Sequence, residues 1–196
     1  MTQAREALSG RWGLAVGAFF VYMLIIGALG CAPMKFPLLS IGGSLVSILI
    51  AGAFALGVAT FSLAISRKEE ASLEMIFSGF MYYGKTLGLY LLMMLFIFLW
   101  MLLLIIPGII AAFSYSLAFY ILSEDPNIGA MEAIDKSKKM MYGYKWKYFC
   151  LGLRFIGWIL LGILSLGIGF LWIIPYMSVS SAKFYEDVKA NFVEVQ

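Results

Sequence analysis

Long uncharged hydrophobic segments dominate the chain and predict membrane-spanning helices. Residues 12–30 and 38–66 are 19 and 29 residues long and carry no charged side chain. A helix needs about 20 apolar residues to cross the hydrocarbon core of a bilayer, so each segment predicts one spanning helix. The uncharged stretch 86–122 has 37 residues, or ~55 Å as a single helix at about 1.5 Å per residue. This stretch, and a similar one near 148–184, must therefore fold back.

Turn residues divide each of the two longer stretches into a hairpin. Pro107 lacks a helix donor and Gly108 tolerates unusual backbone angles, while the second stretch contains Gly167-Ile168-Gly169. The predicted fold is all-α: one polytopic membrane domain over residues 1–196, a helical bundle of three hairpins at about 12–66, 86–123 and 148–184. The six predicted transmembrane helices have approximate boundaries 12–31, 40–66, 86–106, 108–123, 148–166 and 169–184.

The basic residues predict the side of the membrane on which each loop lies. With six helices, 12 of the 14 Lys and Arg residues fall on one side, only Lys35 lies opposite, and Arg154 lies in the membrane. Cytoplasmic loops are enriched in Lys and Arg, so both termini are expected in the cytoplasm. Hairpins 2 and 3 could also re-enter without fully crossing, since they would give the same charge map.

One alternative treats the N-terminus as a signal peptide. Arg5 and Arg11 precede an apolar run that ends in Ala28-Leu29-Gly30-Cys31, which is weakly similar to a lipoprotein cleavage site. The apolar run is longer than a usual signal core and the residues before Cys31 stand in an atypical order. A first spanning helix is therefore the preferred interpretation.

Internal repeats support the three-hairpin arrangement. A shift of 64 residues aligns the second hairpin with the third, and a shift of 54 aligns the second helix of hairpin one with that of hairpin two. The aligned small polar residues are the pairs Thr60/Ser62, Ser114/Ser116 and Ser178/Ser180. Each pair is followed by an alanine, and small residues at i,i+4 let membrane helices approach closely. Packing is the favoured interpretation of these positions; a small polar-lined cavity gathered by the repeat is the alternative.

Amphipathic segments are expected on the cytoplasmic side between hairpins. In the first loop, apolar residues at helical spacing predict one stripe for the membrane interface: Leu73, Ile76, Phe77, Phe80 and Met81. In the second loop, Asp125 is expected to cap a helix that has Pro126 at its first position. The acidic pairs Glu69-Glu70, Glu124-Asp125 and Glu186-Asp187 are expected at the starts of such segments, where negative charge suits a helix N-terminus.

The composition excludes an ordinary soluble domain and several kinds of active site. Hydrophobic residues make up 63% of the chain, charged residues 13%, and histidine is missing; the mean hydropathy is +0.95. Without histidine, Ser-His-Asp triads, histidine-ligated metals and haem are excluded, and Cys31 and Cys150 are too few for a metal cluster. They are predicted on opposite membrane faces, Cys31 outside. We expect no metal, no cofactor and no enzymatic activity, and the charge of only +3 without a basic stripe predicts no nucleic-acid partner.

Two features predict contact with lipid. Arg154 is the one ionisable residue well inside a predicted helix, seven positions beyond Lys147 and therefore about 10 Å deeper. A guanidinium at that depth favours a contact with a lipid phosphate, reached by snorkelling. A solute or proton pathway is the alternative. Trp12 and the run Lys145-Trp146-Lys147 are expected to anchor the chain at the headgroups, since amphipathic rings and lysines prefer that level.

Several short blocks resemble a known family. They include Ala4-Arg5-Glu6-Ala7-Leu8, Ile105-Ile106-Pro107-Gly108-Ile109 and Glu124-Asp125-Pro126. From about residue 4 to 187 the chain resembles the bacterial integral-membrane family catalogued as domain of unknown function nine-seven-five. The resemblance implies a protein of the bacterial cytoplasmic membrane and supplies no catalytic residues.

Two functional classes are consistent with this sequence. The first is a non-enzymatic membrane component that binds membrane lipids, a membrane protein partner or a second copy of itself. The second is a small transporter or lipid-translocating protein with a pathway between the hairpins. The scarcity of polar groups within the spans favours the first class, since transport of a charged solute normally needs several.

Overall fold

The structure is a computed structural model that describes residues 2–31, 37–165 and 167–192. Every regular element within those ranges is a helix. The nine α-helices are α1 (Thr2–Leu8), α2 (Trp12–Cys31), α3 (Pro37–Arg67), α4 (Tyr83–Leu103), α5 (Ile105–Tyr115), α6 (Ala118–Glu124), α7 (Ala130–Met140), α8 (Lys145–Leu164) and α9 (Phe170–Ala190), and a 3-10 helix spans Leu73–Phe80. The all-α prediction is confirmed. Lys35 and the side chain of Cys31 lie outside the described residues.

Four helical stretches are long and apolar enough to cross a membrane. They are Val46–Arg67, Tyr83–Leu103, Ile105–Glu124 and Lys145–Leu164. A shorter apolar stretch covers Trp12–Ile25 within the part of α2 whose side chains are described. The length and composition of these helices are compatible with a membrane protein. The arrangement of six spans in three repeats stays a prediction.

The turn of the second hairpin lies earlier than predicted. Leu104 has an extended backbone (φ −161°, ψ 141°) between α4 and α5. Pro107 is instead the third residue of α5, where the first-turn amides have no partner within the helix and the missing donor costs little. The predicted turn at Pro107-Gly108 and the predicted helix end at 106 are therefore wrong.

The hydrogen-bond ladder of the second helix of this hairpin is interrupted between α5 and α6, where one continuous helix was predicted, although Ser116 and Leu117 keep right-handed helical angles. Ser137 of α7, which is fully buried, bridges the break. Its hydroxyl donates to the Ser114 carbonyl oxygen (2.7 Å) and accepts from the Leu117 amide (3.3 Å). Buried backbone groups need such partners.

The helix expected to begin at Pro126 begins at Ala130 instead. Gly129 is its N-cap residue. The Asp125 carboxylate accepts the amide hydrogen of Asn127 at 2.9 Å, which makes a local turn rather than a helix cap. The face of α7 that carries Ala133, Ile134 and Ser137 is then buried against the protein. α7 is thus part of the core.

α3 is the central helix of the fold. Leu56, Ala59 and Leu63 pack with α4, α5, α6, α7 and α9 in one hydrophobic cluster. Phe54, Phe61 and Ile65 of α3 pack with α1, α2 and the 3-10 helix in a second cluster. Because α3 divides the two clusters, both of its long faces are covered by protein.

The 3-10 helix lies directly on the backbone of α3. Gly57 of α3 faces the carbonyl of Ile76, and Gly79 of the 3-10 helix faces the carbonyl of Ala53; a Cβ at either glycine would approach those oxygens to 1.8 and 1.9 Å. Ile76 is therefore buried against α3, and the predicted single apolar stripe is divided. Its other members are exposed: Leu73, Phe77, Phe80 and Met81.

Candidate functional site

Three returning helices end at one cluster of charged side chains. The Arg67 guanidinium, at the end of α3, pairs with Glu124 at the end of α6 and with Glu186 near the end of α9 (2.7 Å). The Glu124 carboxylate also accepts hydrogen bonds from the Lys189 ammonium and from the Tyr185 hydroxyl, each at 2.6 Å. We call these five residues the ion-pair cluster. It fixes the same ends of α3, α6 and α9 beside one another.

The ion-pair cluster corrects the expected role of the acidic pairs. Glu124 ends a helix and Glu186 lies within α9, so neither caps a helix N-terminus. Burial and the hydrogen bond to Glu124 raise the pKa of Tyr185 well above its ordinary value, so Tyr185 remains a neutral donor. The Arg67 and Glu124 side chains are only 30% and 19% exposed. Their pairing is therefore screened less by solvent than an open surface pair would be.

Sequence reasoning missed Arg67 because its partners are distant along the chain. Glu124 is 57 residues away and Glu186 is 119 residues away. The signal that could have identified it was the position of one arginine at the end of the first returning helix, with an acidic pair after each of the other two. If the predicted repeats place equivalent helix ends together, opposite charges at those ends favour a pair.

Arg154 lies on the surface of α8, a helix that is mostly uncovered. No residue that the structure describes forms a hydrogen bond or ion pair with its guanidinium. Its exposed neighbours on α8 are apolar: Leu153, Ile156, Trp158, Leu160 and Leu161. The structure thus places Arg154, which has no partner among the described residues, beside apolar side chains on the exposed surface of α8.

The three residues at the start of α8 have different environments. Trp146 is 72% exposed, and the centre of its ring lies 5.3 Å from the centre of the Phe149 ring. The Lys147 ammonium lies 5.1 Å from the centre of the Tyr144 ring, within the range of a cation–π contact. Lys145 is half-buried and points into a groove. Exposed rings and lysines of this kind suit the headgroup level of a bilayer.

We call this groove, formed by α4, α5, α7 and α8, the lysine groove. Its volume is about 240 Å³. Lys138 and Lys145 line it together with Ser114, Tyr115, Trp100 and Pro107, and Ile110 and Ala111 complete its wall. Two ammonium groups therefore share one groove with a largely apolar wall.

Trp12 lies in a different groove, so the predicted anchors do not form one patch. A groove of about 280 Å³ is lined by Arg5, Trp12, Trp158, Trp172, Ile173 and Tyr176. Three tryptophans and one arginine line it, which again combines an apolar wall with a cation. The described residues that line it include no acidic side chain.

The repeated small polar residues do not share one cavity. Four of their hydroxyls donate to carbonyls of their own chain three or four residues earlier, at 2.7–3.0 Å: Thr60, Ser114, Ser116 and Ser180. Ser62 is buried and its hydroxyl has no partner among the described residues, and Ser178 is half-buried. Ser114 lines the lysine groove. This arrangement is compatible with packing, and the packing role stays a prediction.

The remaining candidates for metal ligands among the described residues are acidic side chains and a thiol. No group of three or more Cys, Asp or Glu residues among them is arranged to hold a metal ion. The half-buried thiol of Cys150 is free.

Comparisons with known proteins give one match. A family model described as "Protein of unknown function (DUF975)" matches residues 1–107 and 101–192, which together cover residues 1–192. No curated protein and no solved structure matches the chain.

Proposed function

The chain belongs to the DUF975 family, whose function is unknown, and from its surface we propose that it is a non-enzymatic protein of the bacterial cytoplasmic membrane that binds anionic lipid. In this proposal, six helices cross the membrane as three related hairpins and both termini are cytoplasmic. The ion-pair cluster supports the topology, because equivalent ends of three returning helices are expected on one side. A membrane protein partner or a second copy could cover the exposed apolar helices.

The observation that carries the proposal is the position of Arg154. A guanidinium without a protein partner among the described residues lies among apolar side chains on the exposed surface of α8. A charge is costly within a bilayer unless it reaches water, a counter-ion or a headgroup. Seven residues, or about 10 Å of helix, separate Arg154 from Lys147, so its long side chain can extend towards the cytoplasmic headgroups. A lipid phosphate is then its natural partner.

Lipid retention by purified protein tests this proposal. Native mass spectrometry should show that the parent protein retains phosphatidylglycerol in preference to phosphatidylcholine. Arg154→Leu should reduce the retained phosphatidylglycerol while the melting temperature is kept, because the arginine faces outward. Lys139→Leu is the control, since it removes one charge from an exposed residue of α7. Equal retention by the Arg154→Leu variant and the parent would contradict the proposal.

A lipid-translocating protein is the second candidate, and the break between α5 and α6 favours it. Transporters often place binding sites at discontinuous helices. Here Ser137 satisfies the broken backbone, and the lysine groove lies beside it through Ser114. Reconstituted vesicles that carry a fluorescent phosphatidylglycerol in one leaflet test this candidate. Faster transfer between leaflets with the parent protein than with empty vesicles would favour it over simple binding.

A further inference from the structure

We propose that the lysine groove is a discrete site for one anionic phospholipid, whose phosphate contacts Lys138 and Lys145 and whose acyl chain lies against Trp100 and Pro107. This inference rests on the proposed function, because it assigns a second and more enclosed lipid site to the same protein. It differs from the Arg154 contact, since Arg154 does not line this groove.

The charges in the groove favour an anion. Lys145 is half-buried, and none of the described residues forms a hydrogen bond or ion pair with it. Lys138 lies 3.6 Å from Asp135, and both side chains are about half exposed, so this pair is open to exchange with another anion. The described lining of the groove contains no acidic side chain. A bound phosphate would supply the counter-charge, and hydrogen bonds between ionised groups are the stronger ones.

The apolar part of the groove favours a lipid over a soluble phosphate. Ser114 and Pro107, both in the lining, are seven residues apart on α5, which is about 10 Å along a helix. The cationic and apolar ends are therefore separated along one direction, as the headgroup and chain of a phospholipid are. The groove volume of 240 Å³ is below the roughly 300–1,000 Å³ of sites that enclose a small molecule. It would hold part of one chain, and the remainder would lie in the bilayer.

The backbone of Lys138 is held in place by the neighbouring residue, Ser137. Ser137 is buried and hydrogen-bonded to the Ser114 carbonyl across the helix break. Ser114 lines the same groove. The Ser137 bridge therefore holds α7 against α5, which keeps the base of the Lys138 side chain beside the groove. Such rigid support is what a specific site requires.

The decisive comparison uses two double variants with the same change in charge. Lys138→Gln with Lys145→Gln removes both groove cations and lowers the formal charge by two. Lys68→Gln with Lys139→Gln, the matched control, removes two exposed lysines that do not line the groove. Both proteins are titrated with phosphatidylglycerol, phosphatidylcholine and inorganic phosphate, and the bound species are counted by native mass spectrometry.

The parent and the control should each bind one phosphatidylglycerol in the groove in addition to the one at Arg154, and the groove variant should bind the groove lipid about tenfold or more weakly. Ile110→Trp, which fills the groove and keeps both lysines, should also weaken binding while the melting temperature is retained. Equal losses in the two double variants would indicate diffuse surface charge and overturn the site. Displacement of the lipid by equimolar inorganic phosphate would overturn the lipid assignment.

The same data separate this inference from the proposed function. Loss of phosphatidylglycerol in Arg154→Leu but not in the groove variant overturns the groove site and leaves the proposed function intact. A parent protein with no preference for phosphatidylglycerol over phosphatidylcholine overturns both.

Discussion

Gly57 of α3 lies against the carbonyl group of Ile76 so closely that a Cβ at this glycine would be 1.8 Å from the Ile76 oxygen. Gly57→Ala should therefore force α3 and the 3-10 helix apart, at a cost of about 1–3 kcal/mol in the free energy of unfolding. Thermal unfolding in detergent measures the change. The expected result is a clearly lower melting temperature.

Gly157→Ala is the matched control for this substitution. Gly157 lies within α8, and nothing lies within 4 Å of a Cβ added there. Alanine is favoured over glycine in a helix by up to about 1 kcal/mol, so this variant should be neutral or slightly stabilised. Equal destabilisation of both variants would mean that α3 and the 3-10 helix do not pack as described.

Glu124→Gln should destabilise the protein by removing the charge that Arg67 and Lys189 share. The pairs are partly exposed, so we expect a loss between that of an exposed pair and that of a buried pair, about 1–3 kcal/mol. Glu132→Gln, an exposed residue of α7, should have little effect. A double-mutant cycle with Arg67→Gln measures the coupling energy between Arg67 and Glu124. A coupling energy of zero would mean that this ion pair does not stabilise the protein.

Ser137→Ala should cost about 1–3 kcal/mol, because it leaves the Ser114 carbonyl and the Leu117 amide without the bridging hydroxyl. Ser123→Ala is the control: the Ser123 hydroxyl donates to the Tyr120 carbonyl three residues earlier, at 2.7 Å. Chemical denaturation measures the change in the free energy of unfolding, and hydrogen exchange measures the protection of the Leu117 amide. If Leu117 exchanged equally slowly in the parent and in Ser137→Ala, the bridge would have no role.

Ser114 and Ser178 test the packing role of the small polar residues. Leucine at these positions should lower the melting temperature by separating helices, whereas the double alanine variant should be nearly neutral. Interhelical hydroxyl bonds in membranes average only ~0.6 kcal/mol, and the Ser114 hydroxyl bonds within its own helix. Unchanged stability of the double alanine variant with loss of bound lipid would instead indicate a ligand-binding role.

Cysteine labelling in intact cells tests the topology. An impermeant maleimide should label Cys31 and leave Cys150 unlabelled, because the charge distribution places the two on opposite faces. Cys31→Ser should abolish the labelling, while Cys150→Ser should retain it. Labelling of a cysteine introduced at Lys138 in intact cells would contradict the six-helix arrangement.

The hydrophobic pattern predicted where the helices lie better than it predicted which residues contact one another. α2, α3, α8 and α9 begin within about three residues of the predicted positions, since long apolar runs flanked by charge are strong signals. The break after α5 was missed because Ser116 and Leu117 are not helix-breaking residues, and its cause is Ser137 of a later helix. The Arg67 contacts were missed for a similar reason: pairing over 119 residues depends on the tertiary fold. Arg154 was located by sequence, but the lysine groove required the packing of four helices.

The ion-pair cluster also constrains the order in which the protein can be completed. Arg67, Glu124 and Glu186 lie on α3, α6 and α9 in chain order, and chains are synthesised at roughly 5–20 residues per second from the N-terminus. Glu186 follows Glu124 by 62 positions, so it emerges roughly 3–12 seconds later at that rate. During that interval the Arg67–Glu124 pair lacks its α9 partners. α9 therefore completes the ion-pair cluster last, after α3 and α6 have been synthesised.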